Sequence, residues 1–381
     1  MIFTFLCLIN LQSQDNCSPV QVGAESFSEY FPLLKEKRIA IFTNHTGMAG
    51  REHIVDLLHR LKFNIVVIFA PEHGFRGDVD AGEKVIDGKD RKTGIFIYSL
   101  YKNKIGKPDS KIMSQIDIVV VDIQDVGLRF YTYYISMYKL MDACAENNRK
   151  MLILDRPNPN GFYVDGPVLD MKYKSEVGYL PVPVVYGMTL GELALMINGE
   201  KWLPEKRTCN LQVVKCKNYT HRVKYQLPVP PSPNLPNMKS VYLYPSICLF
   251  EGTTVSLGRG TTFPFQVYGS PDMKTYSFSF TPRSIRSAKN PPYLNTKCFG
   301  VDLRNIPDEE IWKAGINLNY IIDACNQLGK GIFTPFFQNL IGVDYVRKMI
   351  LEGKSADEIK AVWQPDIERF MQQRKPYLLY E

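Results

Sequence analysis

Apolar runs and amphipathic stretches alternate through the first half of this chain. Arg38–Thr43, Ile65–Ala70, Gly94–Tyr98, Asp117–Asp122 and Lys150–Asp155 are rich in Val, Ile and Phe. Runs of that length and composition read as strands, and near-continuous apolar character means burial on both faces. Between them, residues 52–61 and 131–148 carry helical spacing. Thr189-Leu-Gly-Glu192 reads as a capping box that opens a helix through Asn198. Strands separated by helices predict an α/β fold, a doubly wound and mostly parallel sheet.

The pattern changes near residue 200. Leu211–Lys215 reads as a strand, 227–236 is proline-rich and irregular, and short strands are expected near 247–250 and 263–268. Helical spacing returns at 316–328, 342–352 and 355–374, the last opened by a second capping box, Ser355-Ala-Asp-Glu358. This half reads as a smaller α+β C-terminal domain. The expected division is 18–200 and 201–381. Residues 1–17 form an apolar start without basic residues, read as a weak signal peptide and hence as periplasmic or secreted placement.

Candidate chemistry clusters where the strands should end. Pro71-Glu-His-Gly-Phe-Arg-Gly77 follows the second strand directly, and ligands of open α/β sheets bind at the carboxyl ends of strands. Glu72, with apolar strand behind it and glycine ahead, reads as a partly desolvated carboxyl suited to general acid work, or as a turn-stabilising residue. Three more polar turns leave apolar strands. Asn44 and His45 lie on the first. Asp122, Gln124, Asp125 and Arg129 lie on the second, and the third is Asp155–Gly161. Four such turns on one edge build a shared pocket. Asp122 and Asp125 are both candidates for a second carboxylate; the preferred reading of Asp122 is a sheet-edge cap, whereas Asp125 suits a base, a hydroxyl contact or a partner for Arg129. In the second half Asn234 sits in a Pro-Ser-Pro-Asn-Leu-Pro loop, and Gly258 and Gly260 flank Arg259 near Glu251. Glycosidase chemistry asks for two carboxylates about the scissile bond. Glu72 with Asp125, or Glu72 with Glu251, each satisfies that.

Composition narrows the field. The 381 residues are 45% hydrophobic and 22% charged, ordinary for a globular protein. The net charge of +7 is spread along the chain, without the dense basic stretch of a nucleic-acid binder. No segment is long and apolar enough for stable membrane insertion. The eight cysteines form no CxxC pair, so no structural zinc is expected; Cys144 and Cys325 read as buried helical thiols. Neither GxGxxG after the first strand nor GxxxxGK[ST] is present, so neither a nucleotide cofactor nor any other cofactor is expected.

Together the segments resemble a known family. TNHTG at 43–47, PEHGFRG at 71–77, DIQDVGLRFYTY at 122–133, DRPNPNG at 155–161, GMTLGELA at 187–194, PSPNLP at 231–236 and EGTTVSLGRGTTFPF at 251–265 are similar to the NamZ-type exo-β-N-acetylmuramidases, formerly a domain of unknown function. The departures are Thr254, where Asn is common, and Leu128, where a small residue is common. The resemblance implies a Rossmann-like domain with a smaller C-terminal one and an active site in the cleft between them. It implies release of N-acetylmuramic acid from non-reducing ends of peptidoglycan fragments, with Glu72 as leading catalytic residue. The lactyl carboxylate of that sugar needs a cation, and Arg76, Arg129 and Arg259 are the candidates. Asn44, Gln124 and Asn234 suit hydroxyls and the N-acetyl group, His73 suits a hydrogen bond to substrate or a structural role, and Tyr131 and Phe130 suit a sugar face. The second catalytic group is Asp125, Glu251 or the substrate's own acetamido oxygen. Two rivals remain, a non-catalytic muropeptide-binding protein and a metal-dependent hydrolase using His45, His73 and Asp78.

Overall fold

The computed structural model describes residues 18–71, 74–76, 87–101 and 106–381. The expected signal segment, and with it Cys7 and Cys17, lies outside the described residues, as do Glu72, His73 and Asp78. The first half runs α1 (Phe27–Leu34), β1 (Ile39–Thr43), a hairpin of β2 (Met48–Ala49) and β3 (Glu52–His53), α2 (Ile54–Arg60), β4 (Ile65–Ala70), β5 (Gly88–Lys89) and β6 (Phe96–Ser99). It continues through α3 (Ser110–Met113), β7 (Ile118–Asp122), α4 (Tyr133–Glu146), β8 (Lys150–Leu154), α5 (Leu190–Gly199) and β9 (Asn210–Val214). Seven strands form one sheet in the order β5-β6-β4-β1-β7-β8-β9, parallel except for the short edge strand β5.

Side-chain alternation explains why the strands read as uniformly apolar. Ala40, Phe42, Val67, Phe69, Val119, Val121, Met151 and Ile153 point into one core. Their neighbours Ile39, Ile41, Ile68, Ala70, Ile118, Val120, Leu152 and Leu154 point into the other. Both faces are covered, so both registers must be hydrophobic.

The strand at 210–214 carries a finding about the division of the chain. The expected boundary near residue 200 falls before β9, yet β9 pairs in parallel with β8, Lys150 opposite Asn210 through Leu154 opposite Val214. The first sheet therefore extends past the proposed boundary. The smaller part follows α6 (Met238–Ile247). It holds a three-stranded sheet of β10 (Val267–Ser270), β11 (Phe278–Phe280) and β12 (Cys298–Asp302). Helices α7 (Asp308–Ala314), α8 (Asn319–Leu328), α9 (Phe336–Ile341), α10 (Tyr345–Leu351) and α11 (Ala356–Arg374) complete it. The strand expected near 247–250 is instead the end of α6 and a 3-10 turn, Cys248–Gly252, where an apolar run is buried as helix. Both capping boxes form, Thr189 with Glu192 and Ser355 with Glu358. One core runs without a break from Phe42 and Leu140 to Trp363 and Phe370, so the two parts share packing rather than meeting at a wet interface.

Candidate active site

Strand order fixes where a site can form. From β1 the chain moves outward on one side through β4 and β6, then returns to the other side of β1 as β7. The carboxyl ends of β1 and β7 thus flank a topological switch point, where α/β sheets leave a crevice. The loops after β1, β7 and β8 are locked to one another there. Asn44 donates from Nδ2 to the Tyr133 hydroxyl at 2.9 Å, and its Oδ1 accepts from the Thr46 amide at 3.0 Å and the Thr46 hydroxyl at 2.6 Å. The Thr46 hydroxyl in turn accepts from the Gln124 amide at 3.0 Å. Gln124 Nε2 donates to the carbonyls of Asp125 and Pro157, both at 2.8 Å. Arg156 donates to Asp122 Oδ1 at 2.7 Å and to the Met48 carbonyl at 2.7 Å. Asn44 and Gln124 therefore act as braces of the edge in this structure, and Asp122 is the sheet-edge cap that its position implied.

Asp125 lies at the centre of this edge, 6% exposed. Its Oδ1 accepts from the Gly127 amide at 2.7 Å and from the Tyr186 hydroxyl at 3.0 Å, while Oδ2 has no partner among the described residues. Burial pushes the carboxyl up to about 7, against the hydrogen bonds from Gly127 and Tyr186. Gly127 has φ +74°, and a Cβ there would meet the Asn158 amide at 2.1 Å, so the turn needs glycine. Asp155, at the end of β8, is pushed up to about 6 by burial and holds the Thr189 hydroxyl at 2.6 Å, the Gly191 amide at 2.9 Å and the Tyr380 hydroxyl at 2.7 Å. Asp125 and Asp155 line a common cavity of about 10 Å³.

The second half contributes the facing wall. His45 meets the Pro230 carbonyl at 2.9 Å, and the Tyr131 hydroxyl donates to the Pro231 carbonyl at 2.9 Å. These contacts hold the 231–236 loop against the sheet edge. Asn234 on that loop is 4% exposed, and neither Oδ1 nor Nδ2 has a partner among the described residues. Aromatic contacts carry the wall outward, from Tyr131 to Tyr244 at 6.1 Å and from Tyr244 to Phe265 at 4.8 Å, with Arg259 5.1 Å from the Phe265 ring. Arg259 also donates from Nε and Nη2 to Glu251 Oε1, at 2.8 and 2.5 Å. Phe130 is buried edge-on to Tyr244 at 5.3 Å, so it supports this wall from within.

Two of the three expected lactyl-binding arginines are committed elsewhere. Arg129 is fully buried and donates to the carbonyls of Pro167, Val182, Leu340 and Ile341 at 2.7 to 3.0 Å. It joins the first half to α9, and no face of its guanidinium reaches solvent. Arg76 pairs with Asp90 at 2.9 Å and Asp56 at 3.3 Å, tying the segment after β4 to α2. The structure thus gathers Asn44, Gln124, Asp125, Tyr131 and Asn234 at one edge, links Glu251 and Arg259 to it, and turns Arg129 inward. Tyr133, Tyr186, Tyr244 and Tyr380 escaped the sequence reading. Tyr133 and Tyr244 lie in helices, Tyr186 in the loop before α5 and Tyr380 near the last residue, where spacing gives no sign of where the hydroxyl ends.

Comparison with known proteins decides the family. The N-terminal and C-terminal family models of the exo-β-N-acetylmuramidase NamZ match residues 39–239 and 242–380. The chain belongs to the NamZ exo-β-N-acetylmuramidase family. It is 37% identical to the peptidoglycan β-N-acetylmuramidase NamZ of Bacillus subtilis, over 95% of this chain and 91% of that one. Two DUF1343 family proteins of Bacteroides fragilis have similar crystal structures. One is 65% identical with a TM-score of 0.90, over 96% of this chain and 99% of its own. The other is 29% identical with a TM-score of 0.82, over 95% and 99%. The NamZ family boundary near 240 also agrees with the place of β9 in the first sheet.

Proposed function

We infer that this protein is a glycoside hydrolase, an exo-β-N-acetylmuramidase that releases N-acetylmuramic acid from the non-reducing end of peptidoglycan fragments. The observation that carries this reading is family membership along nearly the whole chain, with 37% identity to a peptidoglycan β-N-acetylmuramidase. Glu72 follows β4 closely in the sequence, and β4 lies next to β1 in the sheet. Its assigned role is to protonate the glycosidic oxygen as the bond to the anomeric carbon breaks. For the second group the geometry favours the substrate's acetamido oxygen. Asp125 is buried with one oxygen committed, and Glu251 is held by Arg259. The acetamido oxygen bonds to the anomeric carbon as the glycosidic bond breaks, water then attacks that carbon and displaces the acetamido oxygen, and the Glu72 carboxylate takes the water's proton. Arg259, partly exposed at the facing wall, is the assigned partner of the lactyl carboxylate, and Asn234 of the N-acetyl group or a hydroxyl. Action on cell-wall glycan and the apolar first residues together support a periplasmic or secreted location.

The test is hydrolysis of a chromogenic β-N-acetylmuramide beside the matching β-N-acetylglucosaminide. Wild type should release chromophore from the muramide alone. Glu72→Gln should lose at least about a thousand-fold in turnover, within the range of general acid–base catalysis, with an unchanged melting temperature. Equal turnover in the variant would remove Glu72 from the mechanism. Binding of N-acetylmuramic acid without any hydrolysis would favour the non-catalytic rival.

A further inference from the structure

A cluster of one cation and two aromatic rings stands outside the site just described. Lys224 is half-buried, and its ammonium sits over the Phe162 ring, 2.9 Å from the centroid, and 5.2 Å from the Trp312 ring. No carboxylate pairs with it among the described residues. Asp308, one turn before Trp312 on α7, is taken by Lys239 of α6. Burial alone acts on the Lys224 amine and pulls it down to about 8. Trp312 stands edge-on to Phe162 at 6.0 Å and to Tyr242 at 5.4 Å, and its buried Nε1–H has no acceptor among the described residues. A desolvated cation beside aromatic faces is costly without an anion, and cation–π contact offsets only part of that cost.

Its place in the chain ties this cluster to the catalytic edge. Phe162 directly follows the Asp155–Gly161 turn at the end of β8. Lys224 begins the segment that reaches Pro230 and Pro231, the contacts of His45 and Tyr131. Six residues of chain span at most about 20 Å, so the cluster lies within a few sugar rings of that edge. Trp312 comes from the second half and Phe162 from the first, so the cluster bridges the two parts of the chain.

We propose that Lys224, Phe162 and Trp312 form a second saccharide subsite, which takes the next carboxylate-bearing sugar of the glycan beyond the cleaved bond. This rests on the muramidase reading and deepens it, since it makes the enzyme sensitive to glycan length. Lys224, seated over the Phe162 ring, takes the lactyl carboxylate of that sugar, and the Trp312 ring packs against the sugar.

The deciding substrates are the disaccharide of N-acetylmuramic acid and N-acetylglucosamine and the tetrasaccharide that repeats it. Only the tetrasaccharide carries a second lactyl carboxylate. In Lys224→Met the ratio of kcat/KM on tetrasaccharide to kcat/KM on disaccharide should fall about ten-fold, as for one lost charge-assisted hydrogen bond, and Lys224→Arg should restore most of it. A loss shared equally by both substrates, or no loss on either, overturns the subsite. A binding arm keeps this separate from the activity. Calorimetric titration of tetrasaccharide into Glu72→Gln, with and without Lys224→Met, should show about ten-fold weaker binding in the double variant, and equal binding overturns the proposal. If wild type cleaves neither substrate, the muramidase reading fails while the titration still decides the subsite.

Discussion

Asp125→Asn separates a reacting carboxyl from a bracing one. In the folded protein burial pushes Asp125 from its ordinary 3.8 up to about 7. The folded state therefore holds a proton that the unfolded chain releases across that range. The associated stability is fully present below pH 3.8 and is lost as pH rises through about 7. Ionising the folded carboxyl above pH 7 costs about 4 kcal/mol relative to the unfolded chain. The Asn amide carries no charge and keeps Oδ1 as acceptor for Gly127 and Tyr186. Its NH2 replaces an oxygen that has no partner among the described residues, a pH-independent cost of about 1–3 kcal/mol. From pH 4 to pH 8 the stability difference should swing by about 4 kcal/mol in favour of Asn. Asp155, also raised by burial, is common to both proteins and drops out of the difference. Urea unfolding of both proteins at half-unit pH steps reads the swing directly. Turnover of the variant on the chromogenic muramide should stay within about ten-fold of wild type. A flat difference from pH 4 to 8 would refute the burial argument, and a thousand-fold loss of turnover would return Asp125 to the chemistry.

Two further substitutions test the arginines. Arg129→Met leaves the carbonyls of Pro167, Val182, Leu340 and Ile341 without their donor, and should cost at least about 3 kcal/mol by urea unfolding; an unchanged midpoint would show that those carbonyls find other partners. Arg259→Lys breaks the two-donor pair with Glu251 and should lower kcat/KM about ten-fold on the muramide with a much smaller effect on binding of uncharged N-acetylglucosamine; equal losses on both would deny Arg259 the lactyl carboxylate.

The sequence by itself determined the parallel sheet, because both faces of β1, β4, β7 and β8 are buried and every position must then be apolar. It determined both capped helices, since a capping box is a purely local bond pattern. It also placed the polar turns on one edge, because parallel strands send all their carboxyl ends the same way. Tertiary structure decided the rest. Val213 and Leu211 look alike as an edge strand of the first sheet or as part of a second domain, and only pairing with β8 chose. The run at 247–250 is apolar enough for strand, and packing within the second half made it helix. Arg76, Arg129 and Arg259 were equivalent cations in the sequence. Their partners in the folded chain told them apart: Asp56 and Asp90 hold the first, four buried carbonyls, two of them on α9, the second, and Glu251 the third. A side chain's partner 200 residues away leaves no local signature, so the edge was legible from sequence while the division of labour along it was not.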